Sequence, residues 1–344
     1  MAKPTIDDVA SLAGVSIKTV SRVVNREPNV RDSTKEKVER AIAELKYQPN
    51  QSARNLASRR ARLIVLVYDD PSCYEVPSSG YIINLQEGAL RECQRSGFEL
   101  LIHPCNYRSA GITKELHALL DQVRPAGIVL AAPLSNMRNI VQAINASDTP
   151  CVRISHGLSN GKEYSVGTND REVSAEMTRY LASLGHKRIA FISGHHRHKA
   201  VGKRVDGYKD GLEQAGLEYR EDYVVAGDNS IGSGEQCAEQ LLSLSPRPTA
   251  IFSANDDMAA GVMRVATRMG IDVPGDLSVA GCDDIPLAQQ IYPALTTIRQ
   301  PLRAMAETAA QALIGAARGH PPKPGVEIIP GTIRVRQSTG PAPK

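Results

Sequence analysis

Through about residue 48 apolar positions return every three or four residues, and beyond residue 62 they give way to short β-branched runs. Val9 and Leu12, then Val20, Val23 and Val24, then Val38, Ala41, Ile42 and Leu45 keep the spacing of single helical faces. That spacing predicts three short helices sharing one small core. Thr5 can cap the first, Ile6 to Ala13, with Asp8 closing a capping box, and Gly14 stops it. Val15 plugs the turn, and Ser16 caps a second helix over Ile17 to Asn25. Asp32, Ser33 and Thr34 signal the third.

From Arg62 the runs LIVLVY, FELLIH, GIVLA and CVRI alternate with helical stretches, and IAFIS, VVAG, AIFSA and SVAG repeat the alternation. Two successive series of strand–helix–strand units predict two parallel sheets with helices on both faces. A ligand of such a fold belongs in the crevice at the carboxyl ends of the strands. The 344-residue length fits several cores.

Charge sharpens the division. Residues 1–62 carry 13 Lys+Arg against 7 Asp+Glu, whereas the rest carries 28 against 30. A folded module with that surplus suits a polyanion. Once the valines of the second helix turn inward, Ile17, Lys18, Ser21, Arg22 and Asn25 remain outside. Lys and Arg reach guanine edges in a major groove, and Ser and Thr bond phosphate, so this face is expected to read duplex DNA. After Pro49, residues 50–57 hold only about eight helix formers, too few to be stable alone in water. They are expected to fold only when docked.

The stretch TIDDVASLAGVSIKTVSRVVN followed by VRDSTKEKVERAIAELKYQPNQSARNLA resembles the headpiece of the LacI/GalR family of bacterial transcription regulators. The resemblance continues to about residue 338, most densely in LGHKRIAFISG, FSANDDMAAGVM and SVAGCDDIPLAQQIYPALTTIRQ. It implies an α/β chain with a helix-turn-helix headpiece at 1–48 and a hinge helix and linker at 49–61. The rest, 62–344, is implied to be a periplasmic-binding-protein-like body with doubly wound parallel sheets. Its two subdomains would be 62–165 with 302–328 and 166–301 with 329–340. The resemblance further implies base contacts by Ile17, Lys18 and Arg22, and phosphate contacts by Thr5, Ser16, Thr19, Ser21, Asn25 and Tyr47. Asn50, Ala53 and Leu56 would belong to the hinge, with Leu56 as a wedge in the minor groove.

Polar residues at the predicted strand ends are the candidates for a small-molecule site. Asp69 and Asp70 follow LIVLVY, Asn255 to Asp257 follow AIFSA, Asp283 and Asp284 follow SVAGC, and Arg204 is expected to start the helix RVDGYKDGL. A carboxylate on vicinal hydroxyls and an arginine donating to others fit a sugar. The family pattern places Arg204, Asn255, Asp283 and Gln300 against the effector, with Arg204 and Asp283 as an ion pair. Asp256 and Asp284 read as helix caps or loop residues. Where many relatives carry a stacking aromatic after VVAGD this chain has Asn229, and it has no Trp. Tyr74 and Tyr81, in the loop segment after the first strand, are the expected replacements.

No membrane-length apolar run, signal-type h-region or CxxC pair is present, so a cytoplasmic protein is expected. HHRH at 195–198 reads as adjacent histidines diverging from a loop, facing the cleft rather than holding metal. GSG at 232–234 lacks the third glycine of a dinucleotide fingerprint, and there is no GxSxG or zinc spacing. A non-enzyme without cofactor or metal is expected, whose partners are operator DNA, a sugar-like effector and a second copy of itself. The end, TGPAPK, carries no leucine heptad, so a dimer is expected rather than a coiled-coil tetramer.

Overall fold

A computed structural model describes residues 4–24, 30–45, 47, 62–70, 80–155 and 163–344. The chain divides into two compact units, Met1–Ala61 and Arg62–Lys344. Asn25, Asn50, Ala53, Leu56 and Tyr74, together with the expected hinge helix, lie outside the described residues.

In the first unit the Thr5 hydroxyl accepts from the Asp8 amide at 3.3 Å while the Thr5 amide donates to Asp8 Oδ2 at 2.7 Å. Both arms of a capping box therefore start α1 (Ile6–Ala13), satisfying donors that a helix start leaves without partners. Gly14 ends it in the left-handed region at φ 64°, where a side chain would be strained. Ser16 accepts from the Thr19 amide at 3.2 Å and starts α2 (Ile17–Val24), and α3 spans Asp32–Leu45. Val9, Ala10, Val20, Val23, Val38 and Ala41 form the core.

Leu12 does not join that core; it is 47% exposed. The inward stripe of α1 is Ile6, Val9, Ala10 and Ala13, and a helix that turns those four inward carries Leu12 off the face.

The second unit holds twelve strands among its described residues: β1 (Leu63–Asp69), β2 (Glu99–Cys105), β3 (Gly127–Leu130), β4 (Cys151–Ile154), β5 (Tyr164–Gly167), β6 (Ile189–Ser193), β7 (Val224–Ala226), β8 (Ala250–Ser253), β9 (Ser278–Asp283), β10 (Thr296–Arg299), β11 (Gly325–Ile328) and β12 (Thr332–Arg334). One sheet has the order β11-β5-β4-β3-β1-β2 and the other β12-β10-β9-β8-β6-β7. All pairings are parallel except β12 against β10. Parallel strands need crossovers, supplied to the first sheet by α4 (Gly80–Ser96), α5 (Ile112–Val123) and α6 (Arg138–Asn145). The second sheet has α7 (Asp170–Ser183), α8 (Lys199–Gln214), α9 (Ile231–Leu242), α10 (Asp256–Arg268) and the short α11 (Leu287–Gln290).

Helices on both faces explain why Ile64 to Val67 and Ala250 to Phe252 are wholly buried runs rather than alternating ones. α12 (Leu302–Ala317) returns to the first sheet and lies close on α4. A Cβ at Gly88 would stand 2.2 Å from the Arg303 carbonyl oxygen, so only glycine permits that approach. The chain passes between the sheets after β5, after β10 and after β11. The four-residue strands β5, β10 and β11 lie outside the runs read from sequence, being too short to show a pattern.

Candidate functional site

On the first unit, α2 turns Ile17, Lys18 and Arg22 to solvent, with Ile17 48% exposed, while Thr19 and Ser21 are half-buried. Tyr47 is half-buried against the headpiece core, its amide donating to the Ile42 carbonyl at 3.0 Å. The valines that lower helix propensity are the ones that hold this face outward.

In the second unit a polar cluster collects where β8, β9 and β10 end. Arg204 does not start its helix, which begins five residues earlier at Lys199; buried on α8, it donates through Nε to Asp170 Oδ1 at 2.8 Å and through Nη1 to the Ala254 carbonyl at 2.6 Å. The expected Arg204–Asp283 pair is thus corrected: the ion-pair partner of Arg204 is Asp170, the first residue of α7. Asp283 instead accepts from Gln300 Nε2 and holds a φ of 123°. Burial pushes the Asp283 carboxyl up to about 7, against the pull of the Arg204 charge and the Gln300 hydrogen bond. Gln300 Oε1 is buried and has no hydrogen-bond partner among the described residues.

Asn255 caps α10, its Oδ1 accepting from the Met258 amide at 3.0 Å and its Nδ2 donating to the Asn229 carbonyl at 2.9 Å. Asp256 is not a cap. Wholly buried, it accepts from the Ile285 amide at 2.9 Å and from the Thr297 hydroxyl, and burial followed by the neighbouring Asp283 charge raises its pKa. Asp284 is held between Arg299 and Arg336 and ties β10 to the chain after β12.

Tyr81 belongs to the first turn of α4 rather than to a loop. Its hydroxyl reaches in beside Ser155 toward Asp283, Arg204 and Asp170, and burial pushes its pKa up to about 12. The preceding Gly80 leaves no room for a Cβ, which would stand 2.7 Å from Ile285. Tyr81, Arg204, Asn255, Asp283 and Gln300 are therefore neighbours, reached from both sheets.

Asp69 and Asp70 serve a different rim. Asp69 Oδ1 accepts from the Tyr107 amide at 3.3 Å, and the Asp70 amide donates to the Cys105 carbonyl at 2.8 Å. The Tyr107 hydroxyl meets His195 Nε2 at 3.4 Å, joining the end of the first sheet to the loop after β6. Arg108 and Arg197 both lie over the Tyr107 ring, at 5.4 and 5.0 Å from its centroid. His195 and His196 do not diverge: their rings stack at 4.5 Å. His198 is turned inward at the start of α8, where burial drives its pKa down to about 3. A cavity of about 920 Å³ opens beside it, lined by Asp170, Ser193, Lys203 and Asp206 among others, but not by Asp283 or Gln300.

Residues 5–50 match the family model described as "Bacterial regulatory proteins, lacI family", and residues 178–339 match "Periplasmic binding protein-like domain". The HTH-type transcriptional repressor PurR of Vibrio atlanticus is 33% identical over 315 residues, covering 90% of this chain and 91% of that protein. The chain belongs to the lacI family. As a family member it is a DNA-binding transcription regulator with a helix-turn-helix region and a periplasmic-binding-protein-like domain. Catabolite control protein A of Priestia megaterium is 32% identical over 338 residues, 97% of this chain and 99% of that one. Among solved structures, a transcriptional regulator CelR–cellobiose complex matches at 30% identity and TM-score 0.75, covering 97% and 99% of the two chains. A lac repressor dimer bound to operator and the anti-inducer ONPF matches at 29% identity and TM-score 0.83, covering 98% and 100%.

Asp170 and Tyr107 belong to the cluster and its rim without any sequence motif of their own. Asp170 looks in sequence like an ordinary acidic first-turn residue, and Tyr107 follows a strand end without a motif. His103, Cys105 and Glu115 likewise stand in no recognised motif, yet their ligating atoms all lie within 4.8 Å of one another. The His-x-Cys spacing on a strand was the available signal, because residues two apart share a face.

Proposed function

We propose that this lacI-family regulator is a cytoplasmic, homodimeric repressor whose headpieces grip a palindromic operator and let go when a sugar or glycoside enters between the two sheets. The observation that carries the reading is the buried Arg204–Asp170 pair beside Asp283 and Gln300 at the strand ends. There a ligand hydroxyl would satisfy the Gln300 oxygen that lacks a donor. The cellobiose in the CelR structure and the ONPG in a lac repressor structure support the ligand class. In this reading Ile17, Lys18 and Arg22 meet base edges. Thr5, Ser16, Thr19, Ser21, Asn25 and Tyr47 hold phosphates, while Asn50, Ala53 and Leu56 act at the hinge. Tyr81 and Tyr74 supply stacking, Asn255 completes the effector site with Arg204, Asp283 and Gln300, and Asp69 and Asp70 meet the effector from its outer rim.

Closure on a ligand shifts a two-state equilibrium only by the ligand's differential affinity, and hinge helices too short to stand alone turn that modest shift into loss of DNA binding. The test is an operator selected from random duplexes, titrated with and without a panel of sugars that are also screened by thermal shift. A sugar that raises the melting temperature is expected to weaken operator binding. In Arg204→Lys the operator should still bind while the sugar no longer acts, since one ammonium cannot reproduce the fork that spans Asp170 and Ala254. Release of Arg204→Lys at the wild-type sugar concentration would misplace the site. A sugar that tightens operator binding would reverse the sign and make it a corepressor.

A further inference from the structure

β2 runs along the open edge of the first sheet, and its alternate residues His103 and Cys105 face α5, which presents Glu115. His103 Nε2 lies 3.0 Å from Glu115 Oε1, and the Cys105 sulfur points at the same oxygen from 3.8 Å. An imidazole–carboxylate pair accounts for the first contact but not for the thiol converging with it. An imidazole, a thiol and a carboxylate are the three ligand types that zinc takes, at roughly 2.0–2.3 Å each, which puts tetrahedral ligands roughly 3.3–3.6 Å apart. The two separations to Glu115 bracket that spacing and all three atoms lie within 4.8 Å of one another, so side-chain adjustments bring the three donors onto one point. Cys105 is buried, His103 is half-buried and Glu115 is exposed, so an ion would sit at the rim with one face open to water.

We propose that His103, Cys105 and Glu115 form a three-ligand site for a borderline divalent transition ion such as Zn²⁺, with solvent or an outside ligand in the fourth position. Three protein ligands and an open position define an exchangeable site rather than a closed structural one. Binding takes the thiolate and the neutral imidazole, so the Cys105 proton and any His103 proton leave to solvent and affinity falls as pH falls. The site adjoins the cleft in sequence and space: Cys105 ends β2, and Tyr107, two residues on, makes the contact to His195.

The test titrates the full, untagged, reduced chain with Co²⁺ and then with Zn²⁺. Wild type is expected to develop a sulfur-to-cobalt charge-transfer band at one Co²⁺ per chain, abolished by excess Zn²⁺. Cys105→Ser should lose the band and Cys151→Ser should keep it. His103→Gln and Glu115→Ala, neither of which removes a core side chain, should each weaken Co²⁺ binding by at least about tenfold. No charge-transfer band in wild type, a band that survives Cys105→Ser, or unchanged affinity in both His103→Gln and Glu115→Ala would overturn the site.

Discussion

In the headpiece the side-chain hydrogen bonds that start the helices reach three residues along the chain, from Thr5 to Asp8 and from Ser16 to Thr19. At the polar cluster of the second unit they reach 34 residues from Arg204 to Asp170, 50 to Ala254, and 41 from Asp256 to Thr297. The two regions therefore respond differently to damage. A lost cap exposes a helix end to water, which replaces most of what was lost. A lost partner in the cluster strands a charge where water does not reach. The polar contacts of the headpiece are local and replaceable, while those of the cluster are distant and irreplaceable; what the headpiece draws from distant residues is its apolar core, Val9 to Ala41.

The largest effect that this contrast predicts is at Arg204. Arg204→Ala leaves Asp170, only 5% exposed, without its counter-charge and the Ala254 carbonyl without its donor. Removing one member of a buried pair costs about 3–5 kcal/mol, and urea unfolding of the second unit should show a loss of that order. A loss of less than about 1 kcal/mol would mean that water or another cation replaces the arginine, and the contrast between the regions would fail.

The same difference in reach governs what could be read from sequence. Thr5, Asp8, Gly14 and Ser16 were legible because caps and left-handed glycines are chemistry between close neighbours. The strand runs were legible because both faces are covered. Asp170 was not, since nothing in TNDREV marks it until α7 and α8 pack on each other beside β6 and bring Arg204 within reach. Leu12 failed for a smaller reason of the same kind: spacing selects a helical face, but the neighbouring helices decide its centre. Tyr81 reads as a loop residue because the PSSG before it is turn chemistry whose serines serve a turn as readily as a helix start, and Gly80 is there for its closeness to Ile285.

Acid should act on the two regions with opposite sign. Burial raises the folded Asp283 pKa from 3.8 to about 7, so its contribution to stability is fully present below about pH 4 and is lost as pH rises toward 7. Asp8 is shifted the other way, lowered from 3.8 by the hydrogen bond from the Thr5 amide and then by that from the Thr5 hydroxyl. Its contribution is present above the unfolded pKa and is lost as pH falls through the folded one. Asp283→Asn keeps an oxygen for Gln300 while removing the titration, so subtracting its unfolding profile from that of wild type should leave a slope that falls between pH 4 and 7. A flat difference would mean that the Arg204 charge holds Asp283 ionised throughout, returning it to the paired role first expected of it.

The smallest effect is at the first cap, and it separates two roles assigned to one hydroxyl. Thr5 closes the capping box through its side chain, and in the proposed complex the same group holds a phosphate. Thr5→Ala removes the hydroxyl but keeps the amide that donates to Asp8, so half of the box survives. Headpiece stability should fall by about 1 kcal/mol, and Thr5→Ser should restore it, because serine caps as well as threonine. If the hydroxyl also holds a phosphate, operator and scrambled duplex should lose affinity by the same factor, since phosphate contacts carry no sequence information. A selection on Thr5→Ala would then return the wild-type sequence preference from a weaker binder. If the melting temperature of the headpiece falls while affinity for both duplexes is unchanged, Thr5 is a cap alone. An unchanged melting temperature would instead show that the Asp8 carboxylate on the Thr5 amide holds the helix start, and that even in the headpiece one local contact outweighs its neighbour.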